Sequence, residues 1–90
     1  MPTIRFTSAL SRFFPDLGQT ALPGSTVAEL LQGAETQFPG LRRYLLDDQG
    51  ALRQHVNIFV NGERIQDRDR LSDALAERDE VFILQALSGG

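Results

Sequence analysis

Residues 26–38, TVAELLQGAETQF, decide the fold that we predict for this chain. Thr26 and Glu29 have the spacing of a capping box, in which two side chains satisfy free N–H groups at the start of a helix. Pro39-Gly40 predicts where the helix ends, because proline cannot continue the hydrogen-bond ladder and glycine accepts a left-handed cap. Between these signals, apolar residues recur at helical spacing on one face: Val27, Leu30, Leu31, Ala34 and Phe38. We therefore expect one long helix, from Thr26 to about Phe38, with one face in the core.

Strands are predicted on both sides of this helix. Residues 3–7 and 55–60 alternate apolar and polar side chains, which is the period of a half-buried strand. Asn61-Gly62 follows the second of these runs, and both residues tolerate positive φ, so a tight hairpin turn is predicted there. The five predicted strands are residues 3–7, 19–22, 55–60, 63–65 and 81–87.

These elements predict an α+β fold, a mixed five-stranded sheet packed on one long helix, in a single domain over residues 1–90. The first and last strands should be the central, parallel pair, because the chain between them is long enough for a crossover. Residues 8–18 are predicted as a loop. One further helical turn is predicted at 41–45, and another between Leu71 and Leu75, capped by Ser72. The expected core consists of Ile4, Phe6, Val27, Leu30, Leu31, Ala34, Val56, Ile58, Val60, Val81 and Ile83.

Composition argues against several classes of function. The net charge of −3 disfavours a nucleic-acid surface, which normally carries a cluster of basic residues. The chain has no cysteine, which excludes disulfides, thiolate metal sites and a thiol nucleophile. No apolar run approaches membrane-spanning length and no secretory leader is visible, so we expect a cytoplasmic protein without a membrane partner.

The sequence contains no arrangement of residues that is typical of an enzyme. A glycine-rich phosphate loop, a metal-ligand spacing and a nucleophile–base pair are all missing, so we expect no catalytic residue and no cofactor. His55, the only histidine, is predicted to be a surface side chain of a strand rather than a ligand or base. Asp67, Asp69 and Asp73 superficially resemble a calcium loop, but its spaced glycine and closing glutamate are absent, which favours a solvated turn.

The chain ends in Leu87-Ser88-Gly89-Gly90, directly after the last predicted strand. Two residues without Cβ atoms can enter a narrow cleft and adopt φ values that are closed to other residues. Such an end, at residues 88–90, should be mobile in the free protein. Either the Gly90 carboxylate is a reactive group that another protein's active site orders, or the end is idle, and the tail alone favours neither.

Four segments, in their order and spacing, resemble the small ubiquitin-like sulfur carriers, which have the β-grasp fold. They are Gly24-Ser25-Thr26-Val27, the strand and turn from Val56 to Asn61, Asp79-Glu80-Val81, and Ser88-Gly89-Gly90. This family includes the small subunit of molybdopterin synthase, the carrier of thiazole synthesis and the carrier of thiocarboxylate-dependent cysteine synthesis. Residues 56–61 and 71–90 are most similar to the cysteine-synthesis carrier. Gln85-Ala86 stands where the molybdopterin-type carriers have Pro-Pro, and Arg78 stands where a glycine is usual.

The resemblance implies a chemistry for Gly89 and Gly90. An adenylyltransferase of the ubiquitin-activating type would join the Gly90 carboxylate to AMP, and a sulfur donor would displace AMP to leave a thiocarboxylate. The carrier would then supply sulfide to an acceptor, with a pyridoxal-phosphate cysteine synthase favoured over the large subunit of molybdopterin synthase or a thiazole enzyme. Two alternatives stay open: a modifier joined through Gly90 to target lysines, and a binding module whose tail does no chemistry.

These partners are predicted to dock on one face of the sheet. If Val56, Ile58 and Val60 face the helix, strand alternation turns neighbouring large apolar residues to the opposite face. A contiguous exposed apolar patch usually marks an interaction site. The predicted docking residues are Phe59, Phe82, Leu84, Leu87 and Ser88. The alternative is that residues 8–18, which include Phe13 and Phe14, cover this face.

Overall fold

Five strands and two helices make up the fold in the computed structural model, which describes residues 1–6 and 19–85. The strands are β1 (Thr3–Phe6), β2 (Thr20–Ala21), β3 (Val56–Val60), β4 (Glu63–Arg64) and β5 (Glu80–Gln85), and the helices are α1 (Val27–Gln37) and α2 (Leu41–Leu45). The loop predicted at 8–18 and the tail predicted at 88–90 lie outside the described residues.

β5 lies in the middle of the sheet, whose strand order is β2-β1-β5-β3-β4. It runs parallel to β1, as the long connection between the first and last strands predicts, and all other neighbours are antiparallel. Asn61 and Gly62 have φ values of 52° and 86° and form the predicted tight turn between β3 and β4. The α+β fold with a mixed five-stranded sheet is confirmed.

Half of the predicted capping box forms at the start of α1, and in the other half Ser25 takes the place of Thr26. Thr26 Oγ1 accepts a hydrogen bond from the N–H of Glu29 (3.2 Å). The Glu29 carboxylate accepts from the N–H and the hydroxyl of Ser25 (2.9 and 3.0 Å), whereas a capping box would return to Thr26. These two bonds hold the pKa of Glu29 below its ordinary value.

Residues 71–75 supply acceptors for the start of α1. The N–H groups of the first two helical residues donate to the carbonyls of Asp73 and Leu71 (3.1 and 2.9 Å), and the N–H of Leu75 donates to the carbonyl of Ser25 (2.9 Å). The helical turn predicted between Leu71 and Leu75 does not form, so that prediction is wrong. The first N–H groups of a helix have no partner inside it, and this segment meets that need in a non-helical conformation.

A short second helix follows α1, at the place of the predicted further turn. The Glu35 carboxylate accepts hydrogen bonds from the N–H groups of Gly40 (2.8 Å) and Arg42 (2.9 Å) at the start of α2. These bonds lower the pKa of Glu35. The expectation of one long helix needs a small correction, because α1 is long and α2 adds a short helix that buries Leu41 and Leu45.

The core lies between α1 and one face of the sheet. Phe6 and Val60, both predicted to be core residues, are only partly buried and pack against its margin. Both stand at the end of a strand as described. The other predicted core residues are buried. Apolar residues from the connections complete the core: Leu22, Leu46, Leu52, Ile65, Leu71 and Leu75.

Two carboxylates hold the turn over residues 66–73. Asp67 accepts hydrogen bonds from the Ser72 hydroxyl and from three backbone N–H groups at 2.9–3.2 Å. These bonds, that of the Ser72 hydroxyl first, lower the pKa of Asp67 to about 2. Asp73 accepts two more, from the N–H groups of residues 66 and 67 (3.0 and 2.8 Å). The two carboxylates are thus used to stabilise their own turn.

Gly24 should not tolerate a side chain. A Cβ there would lie 2.9 Å from the backbone nitrogen of Leu30 and 3.1 Å from its Cα, and a helical backbone cannot easily move away. We expect Gly24→Ala to lower the free energy of unfolding, measured in urea, by about 1–3 kcal/mol through overpacking.

Gly33→Ala is the matched control for this substitution. Gly33 lies inside α1, and the nearest atom to its added Cβ is the Pro23 carbonyl oxygen at 3.9 Å, an ordinary contact. Because glycine is unfavourable inside a helix, this change should stabilise the protein by about 0.5–1 kcal/mol. Equal effects of the two substitutions would contradict the packing argument.

Acid should destabilise the protein through its hydrogen-bonded carboxylates. The pKa of Asp67 is about 2 in the folded protein, against an ordinary 3.8, so the unfolded chain takes up this proton at higher pH than the folded one. The pKa values of Glu29, Glu35 and Asp79 are lowered too, with the same sign. The free energy of unfolding should therefore fall as the pH is lowered from about 5 to about 2.

Asp67→Asn tests which carboxylate contributes to this dependence. The variant should be less stable at neutral pH and should lose less stability in acid, as measured by urea unfolding at a series of pH values. Asp48→Asn is the control, because the Asp48 side chain has no hydrogen-bond partner among the described residues. An acid dependence in Asp67→Asn as steep as in the unaltered protein would show that the turn does not contribute.

Candidate functional site

The predicted site lies beyond the carboxyl end of β5. Gln85 is the last residue of this central strand and pairs with Val56, the first residue of β3. Its side-chain Nε2 lies 3.5 Å from Nε2 of His55, an exposed side chain as predicted. Four predicted site residues lie outside the described residues and stay predictions: Leu87, Ser88, Gly89 and Gly90.

Four side chains cross the sheet on the face opposite α1, and we call them the outer row. Arg5 of β1 pairs with Phe82 of β5, Phe82 pairs with Phe59 of β3, and Phe59 pairs with Arg64 of β4. The Arg5 guanidinium carbon lies 5.9 Å from the centroid of the Phe82 ring, within the range of a cation–π contact. The outer row is thus a pair of aromatic rings with an arginine on each side.

The other described docking residue lies closer to the end of β5. Leu84 is on the same face as Phe59 and Phe82 and pairs with Asn57 of β3. It is 39% exposed, whereas the two rings are partly buried. The rings pair across adjacent strands and one lies against Arg5, which accounts for part of their burial. The apolar patch is therefore on the predicted face but less exposed than the sequence predicts.

Sequence reasoning did not connect the two arginines of the outer row to this patch. Alternation along β1 places Arg5 on the face opposite Ile4, which is a local signal. Its contact with Phe82 depends on the parallel pairing of strands that are far apart in the chain. The position of Arg64 beside Phe59 depends on the register of the hairpin.

Asn61 ties the hairpin turn to the start of β5. Its Nδ2 donates to Oδ1 of Asp79 (2.9 Å), its Oδ1 accepts from the N–H of Glu80 (2.9 Å), and its own N–H donates to the Glu80 carbonyl (2.8 Å). Hydrogen bonds from the Ala76 N–H and from Asn61, in that order, lower the pKa of Asp79. Two of the four segments that carry the family resemblance thus meet here and fix β3 against β5.

Two kinds of feature are absent from the described part of the chain. Within residues 1–6 and 19–85, no group of three His, Cys, Asp or Glu side chains is placed to hold a metal ion. No helix in the same ranges is long and apolar enough to cross a membrane. What this geometry provides is a rigid strand that leads to the tail, beside a face with apolar and cationic side chains.

Comparisons with known proteins agree with this geometry. The model of the ThiS family matches residues 11–90. The sulfur carrier protein CysO of Mycobacterium tuberculosis is 35% identical over 69 residues, which cover 74% of each chain. Small archaeal modifier protein 3 of Haloferax volcanii is 32% identical over 66 residues, which cover 73% of this chain and 71% of that protein.

A solved structure shares the fold over its whole length. A chain of the Amycolatopsis orientalis BexX/CysO complex is similar with a TM-score of 0.85 and 22% identity, and all of both chains is covered. The family match covers most of the sequence, and the sheet order with its central parallel pair is that of a β-grasp fold. The chain therefore belongs to the ThiS family of ubiquitin-like β-grasp proteins.

Proposed function

We propose that this protein is a sulfur carrier whose Gly90 carboxylate is activated and converted to a thiocarboxylate. The observation that carries the proposal is that β5, paired on both sides in the middle of the sheet, leads into a sequence that ends in Gly89-Gly90. The position of Gln85 in the sheet therefore fixes where the tail begins. The 35% identity with a protein named as a sulfur carrier supports this function.

In this proposal the catalysis belongs to the partners. An adenylyltransferase of the ubiquitin-activating type joins a carboxylate oxygen of Gly90 to the α-phosphorus of ATP, and pyrophosphate leaves. A sulfur donor that delivers sulfide then attacks the carbonyl carbon, and AMP leaves with the bonding electrons. Loss of the proton from sulfur leaves the thiocarboxylate. Adenylation is required because a carboxylate is a poor electrophile without a good leaving group. The chain itself binds these partners in the cytoplasm and contributes no catalytic residue.

Cysteine synthesis is the favoured pathway for the sulfur. The relative in Mycobacterium tuberculosis carries the name CysO, and the absence of Pro-Pro at Gln85-Ala86 argues against the molybdopterin type. Gln85 is part of β5, where it stands opposite Val56 of β3. The acceptor is then a pyridoxal-phosphate cysteine synthase. The large subunit of molybdopterin synthase and a thiazole enzyme are the competing acceptors.

Protein modification is the second candidate function. It is supported by the 32% identity with a Haloferax volcanii protein named as a modifier. Both functions share the adenylated Gly90 and differ in the nucleophile that displaces AMP, which is sulfur for a carrier and a lysine amine for a modifier. A binding module with an idle tail would not be adenylated at all.

Deletion of Gly90 should abolish ATP-dependent adenylation by the cognate activating enzyme, measured as ATP–pyrophosphate exchange. The midpoint of thermal unfolding should not change, because the tail follows the last core strand. The Gly89→Phe variant should also fail to be adenylated, because a large side chain would block entry of the tail to a narrow cleft. Normal adenylation of the Gly90-deleted chain would refute the assignment of the site.

Intact mass after incubation with the activating enzyme, ATP and a sulfur donor then separates the candidate functions. Replacement of one oxygen by sulfur in the chain supports the carrier. A ladder of conjugates with other proteins supports the modifier. An unchanged mass, with no adenylation, supports the binding module.

We further propose that Phe59, Phe82 and Leu84, together with Leu87 and Ser88 in the tail, form the surface on which activating and acceptor enzymes dock. Phe59, Phe82 and Leu84 share one face of the sheet. Phe82 and Leu84 lie on β5, and Phe59 lies on the neighbouring β3. A partner that takes Gly90 into its active site would approach this face, because Leu84 directly precedes Gln85, the residue from which the tail continues.

Leu84→Ser should raise the KM for the carrier in the adenylation assay by about tenfold, the effect of about 1.4 kcal/mol of lost contact. Its unfolding midpoint should change little, because the side chain is exposed in the free protein. Phe82→Ser should show the same loss of binding with some loss of stability. An unchanged KM for both variants would mean that partners do not use this face.

A further inference from the structure

A cationic groove of about 720 Å³ lies beside the end of β5. Its lining includes Arg53, His55, Asn57, Arg64 and Arg68, and we call it the basic groove. One carboxylate, that of Asp47, also lines the groove. Its Oδ1 accepts hydrogen bonds from the backbone N–H groups of residues 49 and 51 (2.9 and 3.0 Å). The groove is thus a local concentration of positive charge on a chain whose net charge is −3.

The arginines of the basic groove are held by backbone and amide oxygens, not by acids. Arg68 donates to Oδ1 of Asn57 (3.2 Å) and to the carbonyl of Arg53 (2.8 Å). Arg53 donates through Nε to the carbonyl of Arg43 (3.0 Å). Among the described residues, neither of these guanidinium groups nor that of Arg64 forms an ion pair. Three positive charges therefore face the groove, against the single negative charge of Asp47.

The basic groove is continuous with the proposed docking surface. Arg64 belongs to both the groove and the outer row, in which it stands beside Phe59. Asn57 pairs with Leu84, and His55 lies 3.5 Å from Gln85 at the end of β5. A partner that covers the docking surface and receives the tail would therefore cover the groove as well.

We propose that the basic groove binds an acidic segment of the activating partner, with at least two Asp or Glu side chains that pair with Arg53, Arg64 and Arg68. A planar guanidinium group matches a carboxylate with two parallel hydrogen bonds, which makes arginine well suited to this contact. The identity of the partner rests on the proposed function, whereas the charge complementarity does not.

Other anionic ligands fit the groove less well. Its volume is large for a single phosphate ion, and its lining residue Arg64 stands beside Phe59 of the outer row. A nucleic acid would extend beyond the groove onto the rest of the protein surface. The protein has a net charge of −3, which would repel the phosphates. A protein segment with carboxylates next to an apolar surface complements both features.

A hexaglutamate peptide is the probe for the first test, added to the 15N-labelled protein at low salt. The peptide should shift the amide signals of residues that line the basic groove, and about 0.5 M NaCl should abolish the effect, because screening at that concentration acts over a few ångströms. Arg64→Glu should weaken the binding at least about tenfold, a difference of about 1.4 kcal/mol.

Arg78→Glu is the matched control, with the same change in charge. Arg78 is exposed, does not line the groove and precedes β5, whose far end is about 17 Å away by the rise of a strand. This variant should retain peptide binding within about twofold, as expected where only the long-range charge is altered. Equal losses in the two variants would show non-specific attraction and overturn the proposal. The proposal would also be overturned if inorganic phosphate displaced the peptide as effectively as unlabelled peptide does, because the groove would then be a site for small anions.

The same variants in the adenylation assay connect the groove to the partner. Arg64→Glu should raise the KM for the carrier at least about fivefold and leave kcat unchanged, and the difference should disappear at high salt. If the unaltered protein is adenylated and Arg64→Glu has the same KM, the groove proposal is wrong and the carrier function stands. If the unaltered protein is not adenylated, the proposed function fails, and peptide binding still decides whether the groove selects an acidic segment.

Discussion

The start of α1 is the constraint on which the rest of the structure depends. Its first two N–H groups donate to carbonyls of Asp73 and Leu71. Gly24 packs so closely against the helix that a Cβ there would lie 2.9 Å from the backbone nitrogen of Leu30. A buried N–H left without an acceptor would cost about 1–3 kcal/mol, which is a large part of the stability of a small domain. The segment before β5 is therefore held against the helix, and β5 enters the sheet between β1 and β3 from there.

This arrangement gives the two faces of the sheet different roles. One face and α1 bury the apolar side chains that hold the domain together. The other face carries two phenylalanines, a leucine and arginines that find no carboxylate among the described residues. Because a strand alternates its side chains, the same short β3 and β5 supply both surfaces. The core and the proposed docking surface are thus placed on opposite faces by the geometry of the strand.

In the proposed function, the protein would need no active site of its own. The Gly90 carboxylate would be the reactive group, and the proposed docking surface beside β5 would supply the specificity. The fixed start of the tail at Gln85 and the polar contacts of Asn61 with Asp79 and Glu80 make that surface a defined shape. Thiocarboxylate formation and conjugation would then differ in the partner enzymes and share the same carrier surface.

The sequence by itself determined the features that depend on neighbours in the chain. The spacing of Leu30, Leu31 and Ala34 predicted α1, and Asn61-Gly62 predicted the hairpin turn, because both are set by local backbone geometry. Family resemblance added the role proposed for the diglycine end. Only the tertiary structure decided the path of residues 71–75 and the assembly of the basic groove. Both depend on acceptors and strand registers contributed by distant parts of the chain, which no local pattern encodes.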